Sequence, residues 1–223
     1  MKKCVAIYYI VCGCMNAPAQ SSATVEQYYF TRSARTEALM TPIANFTSSN
    51  NWYGEARYNF DELNTFSLYA GKKFSGAGNV SWQATPLVGG LMGQMTGGSV
   101  GVNIDIDYRK LFVATQSQYS FSLENNRDKY FFNWSEVGYN ATSWLYAGLA
   151  VQQTNIFKTI GKLEPGYMVG FSIRNWTIPL YAFNTTGDER YFVLGLNWKW
   201  QGKNKKYNNE QLLTAEPNNY PND

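Results

Sequence analysis

The residues best placed to do chemistry are Asp105 and Asp107, in the run from Val100 to Tyr108. On an extended chain two such carboxylates project to the same side, roughly 7 Å apart, a spacing suited to a cation or an acid–base pair. Their usual companions are missing. The 223 residues contain no histidine, which excludes Ser–His–Asp hydrolysis and histidine-ligated metals. The three cysteines, Cys4, Cys12 and Cys14, all stand near the N-terminus. The glycine-rich run from Gly89 to Gly98 lacks the lysine and the helix of a phosphate-binding loop and reads as a mobile outer loop. No catalytic residue, cofactor or metal is therefore expected. The favoured reading of the two aspartates is electrostatic balance by Arg57, Arg174 or Lys199, which the same alternation turns to the same side.

The elements that carry these residues are strands. Val100, Val102, Ile104, Ile106 and Tyr108 alternate with Ser99, Gly101, Asn103, Asp105 and Asp107, the period of two expected of a half-buried strand. Tyr167 to Ile173 and Leu194 to Trp200 repeat it. Turn signals divide the chain into about ten strands, near 52–60, 64–74, 79–88, 98–108, 111–123, 129–140, 144–156, 166–174, 175–184 and 190–200. Most are longer than a globular strand of five or six residues and match the roughly 9–11 residues that cross a bilayer at a tilt. No later segment is a transmembrane helix, yet the mean hydropathy of −0.37 is compatible with strands whose polar and apolar sides average out.

The N-terminus supplies an address. Lys2 and Lys3 precede an apolar stretch from Cys4 to Met15, and Ala17, Pro18 and Ala19 present small side chains where a signal peptidase reads. Residues 1–19 are expected to be a cleaved secretory signal; a lipoprotein site at Cys14 or Cys12 is the competing reading. Removing this segment takes every cysteine with it, and takes the 19 Lys and Arg to 17 against 16 Asp and Glu. That balance offers no general attraction to nucleic acid. Residues 20–51 read as a periplasmic lead-in, a plug or an extra strand pair, 52–200 as the barrel, and 201–223 as a disordered periplasmic tail.

Aromatic placement orients the strands. Trp52, Trp82, Trp144, Trp176, Trp198 and Trp200 fall at the predicted periplasmic ends, joined by tight turns. Phe60, Tyr119, Phe121, Tyr130, Phe131, Phe183, Tyr191 and Phe192 fall at the other ends, so two bands are expected at the depths of the lipid headgroups. With apolar faces outward, the enclosed polar set is Glu55, Arg57, Asn103, Asp105, Asp107, Gln116, Gln118, Gln152, Arg174 and Lys199. Their expected role is to satisfy one another and water.

Gly195, Trp198 and Trp200 have the spacing of a terminal assembly signal: glycine, two residues, an aromatic, one residue, an aromatic. In this the chain resembles small bacterial outer-membrane β-barrels, in style those of the Bacteroidota-type envelope. The resemblance implies recognition by the barrel-assembly machinery, although Val193 stands where a polar residue is usual and 23 residues follow Trp200. The expected fold is an all-β, up-and-down antiparallel transmembrane barrel of about ten strands, twelve if residues 20–51 supply two. It would lie in a Gram-negative outer membrane against outer-membrane lipids, with an envelope protein as a further partner. Two roles are nearly tied: a structural or accessory barrel filled by its own side chains, and a small porin-like channel for ions or small solutes.

Overall fold

The computed structural model describes residues 21–32, 39–124, 129–156, 162–186 and 189–202. The strands are β1 (Ser22–Arg32), β2 (Leu39–Thr47), β3 (Trp52–Tyr58), β4 (Thr65–Lys72), β5 (Phe74–Gly76), β6 (Ser81–Gly93) and β7 (Gly97–Tyr108), followed by β8 (Leu111–Ser122), β9 (Lys129–Asn140), β10 (Leu145–Ile156), β11 (Lys162–Ile173), β12 (Trp176–Phe183) and β13 (Tyr191–Gln201). Each pairs antiparallel with its sequence neighbour, and β13 returns to pair with β1 from Ala23 opposite Trp200 to Thr31 opposite Phe192. The sheet is closed, so no long edge is left to template another strand.

β4 and β5 are one strand in two pieces. Gly71 opposes Leu87 and Phe74 opposes Ala84, the same register on β6. The gap falls opposite Pro86, which has no N–H to give the ladder. The ring therefore counts twelve strands. Ten were expected from the patterned region; the other two, β1 and β2, lie within 20–51, so the extra strand pair is the reading of that segment that its described residues support. Its alternation escaped notice because both faces mix polar and apolar residues, as in Glu26, Tyr28 and Phe30 against Val25, Gln27 and Tyr29. The expected signal segment 1–19 and the tail from residue 203 lie outside the described residues.

Both ends of the barrel segment sit on one side, where the N–H of Gly202 donates to the carbonyl of Ser21 at 2.8 Å. The turns on this side are short, including the two-residue links Arg109–Lys110 and Arg174–Asn175. Both arginines adopt positive φ, 55° and 56°, in the left-handed region that costs a side-chain-bearing residue about 1 kcal/mol. On the opposite side the glycine-rich run corrects the expectation of a mobile loop. β6 extends to Gly93 and β7 begins at Gly97, leaving three linking residues, of which Met95 is buried.

Side chains alternate as the period of two requires. On β6, Val88 and Met92 are 61% and 68% exposed, whereas Thr85 and Leu91 are 2% and 4%. A row of large apolar side chains left open to the surroundings, repeated on strand after strand, is the mark of a wall that faces lipid. One patch departs from it. Thr115, Ser117, Asn133 and Ser135 share the outward parity of β8 and β9, and they satisfy one another: Asn133 donates to Ser117 at 2.8 Å and Thr115 at 3.1 Å, and Ser135 donates to Asn133 at 2.8 Å.

Candidate functional site

The inward faces meet inside the barrel, and Arg57 holds a polar cluster there. The side chain is 1% exposed. Its Nε–H donates to Glu55, two residues along the same face of β3, and Nη1 donates to Gln118 Oε1 on β8 at 2.6 Å. With its amide turned to present the oxygen, Gln116 accepts from Nη1 and Nη2 at 3.0 and 2.5 Å. The guanidinium also lies 4.7 Å from the Phe60 ring centre and 4.3 Å from that of Tyr69, a cation–π arrangement.

Asp61 closes this cluster from the β3–β4 connection. Its Oδ1 stands 3.8 Å from Arg57 Nη1 and accepts from Gln118, from Tyr69 at 2.9 Å and from Tyr130 at 3.4 Å. The connection can turn inward because Asn59 and Asn64 take positive φ, 57° and 51°, where asparagine is among the best tolerated residues with a Cβ. Asn59 Nδ2 anchors to the Met40 carbonyl at 3.1 Å, and its Oδ1 accepts from the Asn64 N–H at 2.8 Å. Phe60 is carried in beside Asp61 and meets Phe132 edge-on at 5.3 Å.

A second group fills the other side of the outer half. Tyr181, Phe183, Tyr191 and Val193 are buried with Ala150 and Met168, and Tyr28, Phe30 and Trp134 pack against them. Trp134 meets Tyr181 and Phe183 edge-on, both at 5.1 Å. These rings correct the expected outer aromatic band. Tyr119, Phe121, Phe131 and Phe192 face outward, but Tyr130, Phe183 and Tyr191 point inward as their parity on each strand demands, and Phe60 is turned in by the β3–β4 connection. The tryptophans expected at the periplasmic ends lie at the end of the barrel that holds its termini; Trp176 and Trp198 oppose each other directly, and Trp52, Trp82 and Trp144 are exposed.

Below these clusters is a cavity of about 320 Å³, near the lower limit of pockets that hold small molecules, roughly 300–1,000 Å³. Phe30, Phe60 and Trp134 lie at its far end, and Lys73, Gln83 and Asp105 line it toward the mouth at the end of the barrel termini. Glu26 and Glu136 face it from β1 and β9. Glu26 accepts from Tyr28 at 2.9 Å and Asn45 at 3.3 Å; Glu136 accepts from Trp134 and Tyr181, both at 2.7 Å. Gln83 donates to Asp105 at 3.0 Å.

Of the polar set read from sequence, Glu55, Arg57, Gln116 and Gln118 come together, and Asn103 and Asp105 line the cavity. Gln152 stands apart, within 3.1 Å of the Tyr191 hydroxyl. Asp107 and Lys199 are exposed at the mouth. Arg174 is a correction: it occupies the β11–β12 turn and is exposed, because the hairpin closes at that residue instead of continuing as strand. Sequence reading missed Glu26 and Asn45, which lie in the segment where an extra strand pair was only one of three readings and no register was set, and Asp61, which falls in the connection between two expected strands. It also missed Glu136, because β9 alternates Trp134 and Glu136 with Ser135 and Val137, and neither face is cleanly polar.

A closed ring of membrane-length strands, apolar outside and polar within, with tryptophans banded at one rim, defines a small outer-membrane β-barrel of porin-like fold. Solved structures agree at the level of fold. A KdgM porin superposes with TM-score 0.58 at 10% identity, over 80% of this chain and 99% of that one. A KdgM porin in complex with disordered oligogalacturonate gives 0.55 at 9%, over 80% and 99%. The NanC porin gives 0.53 at 12%, over 80% and 100%. No protein-family profile matches the chain, and no curated protein matches it by sequence.

Proposed function

We propose that the protein is a narrow porin-like channel for a small polar solute, closed at rest by its own side chains. The observation that carries this reading is how the outer half is blocked. The obstruction at Arg57 is an ion-pair and hydrogen-bond cluster, and one of its members, Asp61, is carried by a short outer connection. Such contacts can break and remake without unfolding the wall. The latch is also incompletely satisfied: Asp61 Oδ2 is buried with no hydrogen-bond partner among the described residues, and an unmade bond of that kind costs about 1–3 kcal/mol. The penalty favours excursions in which the connection lifts toward water.

The cavity beneath suits a hydrated solute. Asn45, Gln83, Thr85 and Gln116 line it, groups that hydrogen-bond a solute without carrying charge. The porin fold of the similar structures supports a conducting role. The oligogalacturonate named with one KdgM porin is a polyanion, and a lumen carrying Glu26, Glu55, Asp61, Asp105 and Glu136 against Arg57 and Lys73 would repel it. Planar-bilayer recording from the purified, folded protein tests the proposal. Infrequent small openings are expected; a silent bilayer with folded protein inserted would refute it.

A second reading, a structural or accessory barrel of the envelope, has one observation in its favour. Phe183, Val193 and Arg57 are almost wholly buried inside the lumen, as in a barrel that side chains fill. Affinity purification in mild detergent separates the two: a stoichiometric envelope partner is expected only of the structural role.

A further inference from the structure

The cavity contains more acceptors than its own donors satisfy. Glu26 and Glu136 face it from opposite walls, and neither has a cation within salt-bridge distance among the described residues. Lys73 is the only lysine or arginine among the lining residues, which also include Asp105. Three carboxyl groups against one ammonium leave the lining richer in acids than in cations.

The outer end adds a different kind of attraction. Phe30, Phe60 and Trp134 present aromatic surface, and ring faces attract a desolvated cation. Acceptor oxygens around the walls, uncompensated carboxylates on two sides and an aromatic roof are complementary to one chemistry: N–H donors on a positive charge with an alkyl body. A dicarboxylate would meet like charge. A polyol could use the oxygens but would leave the carboxylates uncompensated.

We infer that this cavity is a binding site for a protonated organic amine, with Glu26 and Glu136 as its charge partners and Trp134 at its roof. The site names the solute class for the channel described above and rests on that reading for its role in transport, although binding itself does not require conduction. The amine enters from the periplasmic mouth, where Asp105 and Asp107 stand with Lys73 and Lys199. Its ammonium displaces no ion pair, because none of the described cations holds Glu26 or Glu136.

Titration calorimetry on the detergent-folded barrel at pH 8 tests this with three probes of equal chain length: 1,5-diaminopentane, 1,5-pentanediol and glutarate. Saturable binding of the diamine alone is expected. Glu26→Gln with Glu136→Gln, in a variant that keeps its heat-dependent gel shift, should weaken it at least about tenfold, since a charge-assisted hydrogen bond is worth roughly 1.5–3 kcal/mol. Equal binding by the double variant would overturn the assignment of residues. Equal binding of the diol or glutarate, or no diamine binding, would overturn the ligand class. A barrel that binds the diamine yet never conducts would leave the site standing and remove the channel.

Discussion

Arg57 on β3 and Gln118 on β8 are joined across the lumen by a hydrogen bond of 2.6 Å. These strands are not neighbours in the sheet; β4, β6 and β7 separate them along the wall. The bond is therefore a chord across the interior, and Asp61 and Phe60 join it there.

The charge in that chord is costly to uncover. Arg57→Ala would leave Glu55 and Asp61 buried without their cation, and breaking one side of a buried pair costs about 3–5 kcal/mol. The urea midpoint of the folded barrel should fall sharply. Arg57→Met combined with Glu55→Gln and Asp61→Asn removes every charge at once and should recover most of the loss. An unchanged midpoint for Arg57→Ala would mean the cluster is not formed.

Tryptophan depth checks the orientation of the wall. In a variant where every tryptophan but Trp134 is phenylalanine, brominated lipid should leave fluorescence unquenched, because Trp134 packs inside on Tyr181 and Phe183. A variant retaining only Trp176 should be quenched, and most strongly by bromines near the headgroup. The reverse pattern would place the apolar faces inward.

Gly148 is a packing requirement. A Cβ there would run into the Val137 carbonyl and the Gly138 backbone on β9, which cannot move aside as a side-chain tip can. Gly148→Val should lower refolding yield, read by the heat-dependent gel shift, while Val169→Ala on the outward side should not.

The inward turn at Asp61 depends on two backbone positions. Asn64→Val places a β-branched side chain at φ 51°, a strain of about 1–2 kcal/mol, whereas Asn64→Gly should be tolerated. The expected consequence is faster proteolysis or amide exchange across residues 59–64 in the valine variant only. Equal protection in both would show that the connection does not need this conformation.

Much of the wall was legible before the structure. The run from Val100 to Tyr108 fixes the outward face of β7 because its alternation has no exceptions, and the turn at Arg109 follows from where it stops. The lumen was less legible. Phe183 and Tyr191 have the residue type of an interfacial band, and only their parity with Tyr181 and Val193 turns them inward. Asp61 looked like a loop residue because sequence shows a connection's length but not its direction. Pairing across the interior, as between Arg57 and Gln118, has no local signature at all.

Single-channel recording compares occlusion with its release most directly. The wild-type barrel should open rarely; the neutral variant Arg57→Met, Glu55→Gln, Asp61→Asn, which loses the ionic latch without burying a lone charge, should open more often and for longer. Identical silence from both, with each shown to be folded and inserted, would contradict the claim that this cluster closes a channel.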